Sequence, residues 1–544
     1  MTTDLAFDLL ARGWFPKELP PSFTTLDFAN KVLGYAGTWP KFVSNEKRTQ
    51  LCTHSYAKAA LYRRPLGIPN PVPQLALSLL IAKHWARIER LIRRSGLGIS
   101  YPVAGQTRAL MPGEKDVAKE RARSRATARF VVLGDISRFY HSIYTHAIAW
   151  AVHGKGEAKQ KYGRRWEHLL GNKIDRLLME SQDGQTQGIP VGPDTSLVCA
   201  ELIAAAVDVL LQKMRRRIAG VRFMDDYELP LASRGEAESA LDALQVALAE
   251  YGLALNPLKT RIVELPHGFD QSWKVPIRAM QFRWPPAEQA TDLVAFFDVA
   301  FGVAQDHREK SAVGYALDRL DNQFIHPNNW ELYQSLLLQA VTVEPGTAPT
   351  AFHRLAAAKW RGQSLNVKQI ADFAADQINE HARLGHANEV AWALWAALVF
   401  DVKLGRIESK ALAAMSDSVV ALSALHAMRR GLFKSKVDTN NWRELLTSEQ
   451  LLGDQWLLAY EAAVKSWLRP SGGANYIQAD STFEFFFNLG VEFYDESKAS
   501  PIPPSPSPSP SWIAEMRTAS RERAKHYGSD EGEPDSHDSE ALTF

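Results

Sequence analysis

The stretch Phe223-Met224-Asp225-Asp226-Tyr227 places two adjacent carboxylates inside an apolar and aromatic run from Val221 to Leu229. An unpaired carboxylate is costly to bury, and two side by side cost more because their charges repel each other. A turn at Asp225-Asp226 between strands at 220–224 and 227–230 would form a hairpin with both acids at its tip. A bound divalent cation would offset the repulsion, because cations such as Mg2+ take carboxylate oxygens as ligands. An ordinary Asp-Asp turn without chemistry is the alternative.

The composition indicates a soluble globular protein of more than one domain. Of the 544 residues, 46% are hydrophobic and 23% are charged, and the formal net charge is +2. This length exceeds one compact core and predicts two or three domains. The two cysteines, Cys52 and Cys199, exclude a disulfide framework and a four-cysteine zinc site. The N-terminus lacks a signal sequence and no long apolar run appears, so we expect a cytoplasmic protein without a membrane span.

A third acid follows a second apolar run. Phe130-Val131-Val132-Leu133 is typical of a buried strand and leads into Gly134-Asp135. Catalytic carboxylates often lie at the end of such strands, although Asp135 could also cap a helix that starts at Ile136. After it come a helical region, a Gly/Pro loop with a helix, the Asp-Asp hairpin, an amphipathic helix and a strand. This order predicts an α+β layer, an antiparallel sheet with helices on one face.

The segment upstream of Asp135 is strongly basic. Residues 93–129 carry nine Lys and Arg against three acids, which predicts a phosphate-binding surface, with a solvated charged face as the alternative. On a strand, Arg121, Arg123 and Arg125 would project from one side. Before this segment, four prolines at 65–73 predict an extended or turning chain, followed by an amphipathic helix from about 74 to 94.

These motifs resemble those of reverse transcriptases, in the family's order. The prolines at 65–73 and the basic run ending at Arg129 resemble the finger motifs. The other resemblances are Asp135–Tyr140 to motif A, Gln187–Pro193 to motif B, Phe223–Asp226 to motif C and Gly252–Lys259 to motif D. The resemblance spans roughly residues 60–265. It implies an α+β right-hand polymerase, with fingers and palm.

Two segments and the C-terminal region resemble a subgroup of that family. Residues 137–144 and 192–196 are similar to bacterial abortive-infection and "unknown group" reverse transcriptases, which implies antiviral defence against phage. From about 290 the chain is rich in Ala and Leu and predicts stacked helix pairs. The predicted helices span 291–306, 312–322, 329–342, 350–361, 366–384, 388–404, 408–432 and 441–467.

The sequence therefore predicts four regions. Alternating Pro and Ser at 501–511 predict a linker, and the acidic residues after it predict a disordered tail. The regions are 1–129 (N-terminal segment and fingers), 130–285 (palm), 290–495 (all-helical, resembling helical repeats) and 496–544 (disordered linker and tail).

The resemblance also implies a reaction and roles for individual residues. The reaction is RNA-directed DNA synthesis from dNTPs, a nucleotidyl transfer. Asp135, Asp225 and Asp226 would hold two Mg2+ ions, which Mn2+ could replace, because phosphoryl transfer depends mostly on positioning and charge stabilisation. Tyr140 corresponds to the steric gate that a ribose 2′-hydroxyl would strike. An ordinary core aromatic is the alternative for Tyr140.

Further residues of the same motifs would contact the substrates. Arg125 and Arg129 would hold the incoming triphosphate, and Gln187 and Gly188 would line the nascent base pair. Lys259 would donate a proton to the leaving pyrophosphate, with an exposed surface lysine as the alternative.

Three functions stay open from the sequence. The first is RNA-templated DNA synthesis, and the second is template-independent, protein-primed DNA synthesis by the same site. The third is a catalytically silent scaffold that binds a partner through the helical region. The expected partners are dNTPs, an RNA template, nascent DNA, a noncoding RNA or partner protein, and a second copy bound through the helical region. No membrane is expected.

Overall fold

A computed structural model describes residues 2–35, 47–58, 62–113, 116–216, 218–321, 323–471 and 475–501. The strands are β1 Cys52–Ala57, β2 Arg63–Ile68, β3 Pro102–Ala104, β4 Leu110–Pro112, β5 Phe130–Asp135, β6 Val221–Phe223, β7 Asp226–Leu231 and β8 Arg261–Glu264. The helices up to the end of the sheet region are α1 Thr2–Ala11, α2 Leu26–Leu33, α3 Pro71–Lys83, α4 Trp85–Ile92, α5 Val117–Ser124, α6 Phe139–Ser142, α7 His146–His153, α8 Lys155–Gln160, α9 Leu170–Glu180, α10 Asp194–Met214 and α11 Arg234–Glu250. The later helices are α12 Lys274–Ala279, α13 Pro286–Asp306, α14 Ala312–Arg319, α15 Trp330–Val343, α16 Ala348–Trp360, α17 Val367–Ala382, α18 Ala387–Phe400, α19 Ser409–Ala413, α20 Ser418–Arg429, α21 Asn440–Glu444, α22 Trp456–Val464 and α23 Ser481–Asn488.

The palm is a four-stranded antiparallel sheet in the order β6-β7-β5-β8. Val132, Tyr227 and Leu229 pack into one core with residues of α10 and α11, so these helices cover one face of the sheet. Side chains alternate between the faces of a strand. Asp135 and Asp226, which are directly paired between β5 and β7, therefore lie on the opposite face. The predicted layer of sheet and helices is confirmed here.

The proline-rich segment differs from its prediction. Pro65 lies in β2, which pairs with β1, but helix α3 already begins at Pro71. Proline is tolerated in the first turn of a helix because the N–H groups there have no partner within the helix. The Asn70 side chain caps this turn by accepting a hydrogen bond from Val72. The predicted helix at 74–94 is two helices, α3 and α4, with a break at His84.

The basic segment is also built differently, because residues 117–124 form helix α5 and not a strand. Arg121, Arg123 and Arg125 therefore do not share one side. Arg121 and Arg125 lie one helical turn apart and both pair with Glu228. Arg123 is exposed and pairs with Glu120. Much of the predicted phosphate-binding charge is thus used in structural ion pairs.

From α12 to α23 the described elements are helices. The predicted helix at 408–432 is interrupted because Asp417 caps a new helix, α20, and the one at 441–467 divides into α21 and α22. No helix in the described part of the chain is both long and apolar enough to cross a membrane.

The N-terminal segment and the helical region share one hydrophobic core. Trp14, Phe15, Val72 and Leu75 belong to the same buried cluster as the side chains of α13 to α23. Trp14 stacks on Trp456 with ring centroids 6.2 Å apart. Side chains of the predicted N-terminal region and of the predicted helical region therefore pack together in this cluster.

The start of the predicted tail is packed. Residues 496–498 form a short 3-10 helix and Ala499 is buried. Residues 502–544, which hold most of the predicted linker and tail, lie outside the described residues.

Candidate active site

Three aspartates lie together at one end of the palm sheet. Asp135 is the last residue of β5 and Asp226 is the first of β7, and the two are directly opposite each other in the ladder. The Ile136 N–H donates to the Asp225 carbonyl at 3.0 Å, which ties the turn of the β6–β7 hairpin to the end of β5. The structure thus brings together the three acids that the sequence singled out.

The electrostatics of this cluster favour a bound cation. Desolvation raises the pKa of the Asp225 carboxyl, and the charge of Asp135 raises it further. Desolvation, then the charges of Asp225 and Asp135, raise the pKa of Asp226 to about 6. A divalent cation would stabilise all three ionised forms, and carboxylate oxygens are the donors that Mg2+ prefers. The residues present therefore fit a magnesium site.

Lys259 reaches the same cluster from the motif D segment. Its Nζ lies 2.7 Å from Asp135 Oδ2, although the side chain is 60% exposed. The Asn256 N–H donates to the Asp135 carbonyl at 2.7 Å and its side chain accepts from Leu258, so the loop is anchored to the end of β5. Desolvation lowers the pKa of Lys259, but the hydrogen bond to Asp135 and the other acids outweigh it, and the net pKa is raised. A protonated amine therefore stands beside the acids.

The turn that carries the acids contains an unusual backbone conformation. Met224 has a φ of 54°, in the left-handed region that residues other than glycine seldom adopt. Its N–H donates to Ser100 Oγ at 2.7 Å and its carbonyl accepts from Arg222 Nη1 at 2.9 Å. Such strain persists only where the surroundings hold it. Both backbone groups of the residue before Asp225 are held in this way.

A buried ion-pair network supports that turn from the opposite face of the sheet. Arg222 is fully buried and pairs with Glu201 at 3.0 Å and Asp208 at 2.8 Å, both from α10. Ser100 Oγ donates to Glu201 at 2.9 Å, and the Tyr227 hydroxyl donates to Asp208 at 2.7 Å. The sequence signal for this network was charge inside apolar segments, since such residues are seldom buried without partners. That signal was not used in the sequence reasoning.

The motif A and motif B residues meet beside the acids. The Ile189 N–H donates to the Tyr140 carbonyl at 2.9 Å, and Gln187 Nε2 donates to the Ser142 carbonyl at 2.8 Å. Gly188 has a φ of 85°, and an added Cβ would lie 3.3 Å from the His141 carbonyl oxygen, so the close approach requires glycine.

Tyr140 lies near the catalytic turn. Its pKa is raised by desolvation and then by the charges of Glu201 and Asp225, so both carboxylates are close to the phenol. Its action as a steric gate stays a prediction.

The structure does not bring Arg125 and Arg129 to a triphosphate site. Arg125 is buried, with Nε 2.6 Å from Glu228 and Nη1 donating to the carbonyls of His267 and Gly268. Arg129 is exposed beside the first residue of β5, six residues before Asp135, a span of about 20 Å along a strand. The structure therefore does not bring either side chain to the three acids, because the basic run folds as a helix that turns Arg125 onto Glu228. Triphosphate binding by these arginines stays a prediction.

Two cations of the β1–β2 hairpin, which the sequence did not single out, are further candidates for the substrate site. Lys58 follows β1 and Arg64 lies in β2, so both belong to the β1–β2 hairpin. The pKa of Lys58 is lowered by desolvation and by the charges of Arg64 and Lys259, while Asp225 and Asp135 oppose that shift. Lys58 is therefore within electrostatic range of Asp225 and Asp135, and Arg64 is within range of Lys58. The weak sequence signal was basic residues next to the proline-rich segment.

A second cluster of potential metal ligands is satisfied by hydrogen bonds. Among the described residues, only His381, His386 and Glu389 have ligand atoms within 4.8 Å of one another, and the three aspartates are less closely grouped. Both Glu389 oxygens bind Arg63 at 2.8 Å, and the two histidine Nδ1 atoms lie 3.1 Å apart. This cluster joins the helical region to the β1–β2 hairpin.

The comparison with protein families fits this geometry. Residues 91–289 match the model described as "Reverse transcriptase (RNA-dependent DNA polymerase)". The chain contains a reverse transcriptase domain. This domain is of the RNA-directed DNA polymerase class, a class of nucleotidyltransferases, and the predicted resemblance to reverse transcriptases is confirmed over these residues.

Two solved structures have a distant similarity to this chain. Telomerase from Candida albicans in complex with a TWJ fragment of telomeric RNA is 11% identical, with 61% of this chain and 66% of that chain covered and a TM-score of 0.28. Apo telomerase from Candida tropicalis is 13% identical, with 73% and 71% covered and a TM-score of 0.30. Scores this low carry no argument about function. No curated protein matches the chain.

Proposed function

We propose that this chain is a Mg2+-dependent polymerase that synthesises DNA from dNTPs on an RNA template. The observation that carries the proposal is the direct pairing of Asp135 with Asp226 next to Asp225, with Lys259 bonded to Asp135. Lys58 and Arg64 add positive charge on the facing hairpin. A carboxylate cluster facing cations suits a triphosphate bound through divalent ions.

Each of these residues has a defined task in the proposed reaction. Asp135, Asp225 and Asp226 would hold two Mg2+ ions, or Mn2+ in their place, which supply charge neutralisation and activation of the attacking hydroxyl. Lys58 and Arg64 bind the triphosphate, and Tyr140 blocks the space beside C2′ of the incoming sugar. Lys259 holds a proton at the oxygen where pyrophosphate leaves. The supported turn at Met224 keeps the acids in register, since small displacements are costly in such sites.

The decisive test is nucleotide incorporation by an Asp225→Asn variant. Purified protein receives Mg2+, labelled dNTPs and a primed RNA. We expect incorporation to fall at least about a hundredfold, because a metal-binding carboxylate contributes several kcal/mol to the transition state. Asp242→Asn, an exposed acid on α11, is the matched control and should keep full activity. Unchanged incorporation by Asp225→Asn would overturn the proposal.

The same assay distinguishes the templated from the protein-primed reaction. RNase pretreatment should abolish synthesis of free DNA if an RNA template is copied. Label that resists RNase and enters a denaturing gel only after protease would instead establish template-independent, protein-primed synthesis. Adding back a defined RNA after RNase removal is the control for carry-over of nuclease.

We further propose a role in antiviral defence against phage in the bacterial cytoplasm. The support is the resemblance of residues 137–144 and 192–196 to abortive-infection reverse transcriptases. Phage plating on cells that carry the wild type or Asp225→Asn/Asp226→Asn tests this role. Protection that disappears with the acids assigns defence to the polymerase. Equal protection by both would establish the scaffold function, and no protection by the wild type would exclude defence against that phage.

A further inference from the structure

A surface of unpaired positive charge lies next to the active site on the motif B side. Residues 154–173 contain six Lys and Arg against two acids. Both acids form ion pairs, Glu157 with Lys161 and Glu167 with Arg176. We call the basic surface the set formed by the exposed cations of α3, α4, α8, α9 and the α8–α9 connection: Lys83, Arg87, Lys159, Arg165 and Lys173.

These cations come from separate elements but act on the same neighbours. The pKa of His84 is lowered by desolvation and then by Lys83, Arg87 and Lys173. Desolvation and then Arg87 lower the pKa of His153, with Lys161 contributing in the same direction. None of the five members of the basic surface forms a direct ion pair among the described residues, although Arg87 acts on Glu157 and Lys159 on Glu250 at longer range. Positive charge is therefore in excess on this surface, although the whole chain is nearly neutral.

Aromatic side chains accompany this charge. Tyr162 is 64% exposed, so its ring is accessible to a ligand. The Arg165 guanidinium lies 5.2 Å from the centre of the Trp166 ring. Exposed aromatic rings beside phosphate-binding cations are the combination that binds single-stranded nucleic acid, because bases stack on the rings while cations contact the backbone.

A row of ring contacts connects the basic surface to the motif B loop. Gln187 forms a β-bridge with Tyr144. The Tyr144 ring centre lies 4.8 Å from that of His146, which in turn lies 5.3 Å from that of Tyr162. A strand that leaves the active site past Gln187 therefore meets Tyr162 and then the cations of the basic surface.

We propose that the basic surface binds the single-stranded RNA template as it approaches the active site. Tyr162 would stack on a template base, and Lys159, Arg165 and Lys173 would contact phosphates. This inference rests on the proposed RNA-directed function, and it adds a strand-binding site outside the catalytic cluster. Nucleic acid is preferred over an acidic protein because stacking aromatics accompany the charge.

Salt-dependent binding tests the phosphate contacts. The full-length protein is titrated against a labelled single-stranded RNA of about 30 nucleotides, long enough to span several stacking and phosphate sites. Each phosphate contact to a single strand contributes about 0.7 to the slope of log K against log salt. Lys159→Gln/Arg165→Gln/Lys173→Gln should therefore lower the magnitude of that slope by about 2. The matched control is Lys368→Gln/Lys410→Gln/Lys434→Gln, three exposed lysines of the helical region, which should leave it unchanged.

A pair of tyrosine variants tests the stacking contact. Tyr162→Ala should weaken RNA binding about tenfold, while Tyr162→Phe should retain it, because only the ring is needed for stacking. Equal affinity of Tyr162→Ala and the wild type, or an unchanged slope in the triple variant, would overturn the proposal. A loss confined to a DNA strand of the same sequence would overturn the assignment to RNA.

Nucleotide incorporation assays distinguish a failure of this RNA-binding proposal from a failure of the proposed polymerase function on which it rests. On a primed RNA with a long 5′ overhang, the triple variant should need more template for half-maximal rate. On a template with a one-nucleotide overhang it should match the wild type. If the wild type incorporates nothing on either template, the proposed polymerase function fails, and the binding experiments still decide whether the basic surface holds single-stranded RNA.

Discussion

Two hairpins deliver charged side chains to one active site, and they are supported in opposite ways. The β6–β7 hairpin carries Asp225 and Asp226 and rests on ion pairs inside the palm, where Arg222 contacts residues 14 and 21 positions away. The β1–β2 hairpin carries Arg64 and is held by the helical region. Arg63 binds Glu389, 326 positions later, and the Ile68 carbonyl accepts from Trp456, 388 positions later.

This difference assigns separate tasks to the two regions. The catalytic acids are positioned by buried ion pairs within the palm, together with Ser100 just before β3. The cations that face them depend on the far end of the chain, so the C-terminal helices support part of the substrate site. Damage to the palm network should therefore abolish the chemistry, whereas damage to the hairpin support should first weaken nucleotide binding.

Removal of Arg222 should have the largest effect on stability. In Arg222→Leu, Glu201 and Asp208 stay buried without a cation, and the Met224 carbonyl loses a donor. Breaking a buried ion pair from one side costs about 3–5 kcal/mol, so the free energy of unfolding should fall by that amount and incorporation should be lost. Urea denaturation measures the first effect. Arg234→Leu, at an exposed ion pair on α11, is the control and should change stability by less than about 0.5 kcal/mol.

A milder change separates positioning from simple loss of fold. Ser100→Ala removes the acceptor of the Met224 N–H and the donor to Glu201 but leaves the ion pairs intact. The cost in stability should be about 1–2 kcal/mol, small enough to leave the protein folded. We expect kcat to fall while KM for dNTP stays constant. An unchanged kcat would show that Met224 keeps its conformation without this support.

The palm could be predicted because its signals are local. A β-branched run ending in Asp135 and an Asp-Asp pair between apolar residues each occupy a few adjacent positions, and both became the predicted strand and hairpin. The basic segment shows the limit of such reasoning. The sequence shows how many charged residues the basic segment contains, but the direction of each side chain depends on whether the segment forms a helix or a strand. As a helix, it places Arg121 and Arg125 on Glu228.

Contacts between segments that are far apart in the chain could not be predicted from one sequence. Nothing in the sequence indicates that Arg63 pairs with Glu389. Lys58 becomes a candidate triphosphate-binding residue only once the fold brings its hairpin within range of the aspartates. Arg222, Glu201 and Asp208 were detectable as charges in apolar surroundings, although their mutual contacts were not. The site residues that the sequence missed are those whose partners lie on other elements.

Neighbouring arginines in the β1–β2 hairpin should give different, intermediate effects. Arg63→Ala leaves the buried Glu389 carboxylate without its cation and should cost about 2 kcal/mol, the order of the desolvation penalty of a buried polar group that loses its partner. Arg64→Ala removes the same charge one position later, where the described residues provide no ion pair. We expect Arg63→Ala to lower the melting temperature and raise KM for dNTP modestly, and Arg64→Ala to raise KM at an unchanged melting temperature. Equal melting temperatures for the two variants would contradict the inference that the helical region stabilises the β1–β2 hairpin through Glu389.

The smallest expected effect is a gain in stability, and it concerns Asp226. Its pKa is raised from 3.8 to about 6 by desolvation and by the neighbouring acids, so the folded protein binds a proton more tightly than the unfolded chain does. Without a divalent cation, the resulting destabilisation is fully present above about pH 6 and fades as the pH falls towards 4. Asp226→Asn should therefore raise the melting temperature by about 1–3 °C at pH 7.5 in EDTA, with a smaller gain at pH 5. Added Mg2+ should stabilise the wild type and not the variant, because only an intact cluster binds it. A variant less stable than the wild type in EDTA would mean that the attraction to Lys259 outweighs the repulsion between the acids.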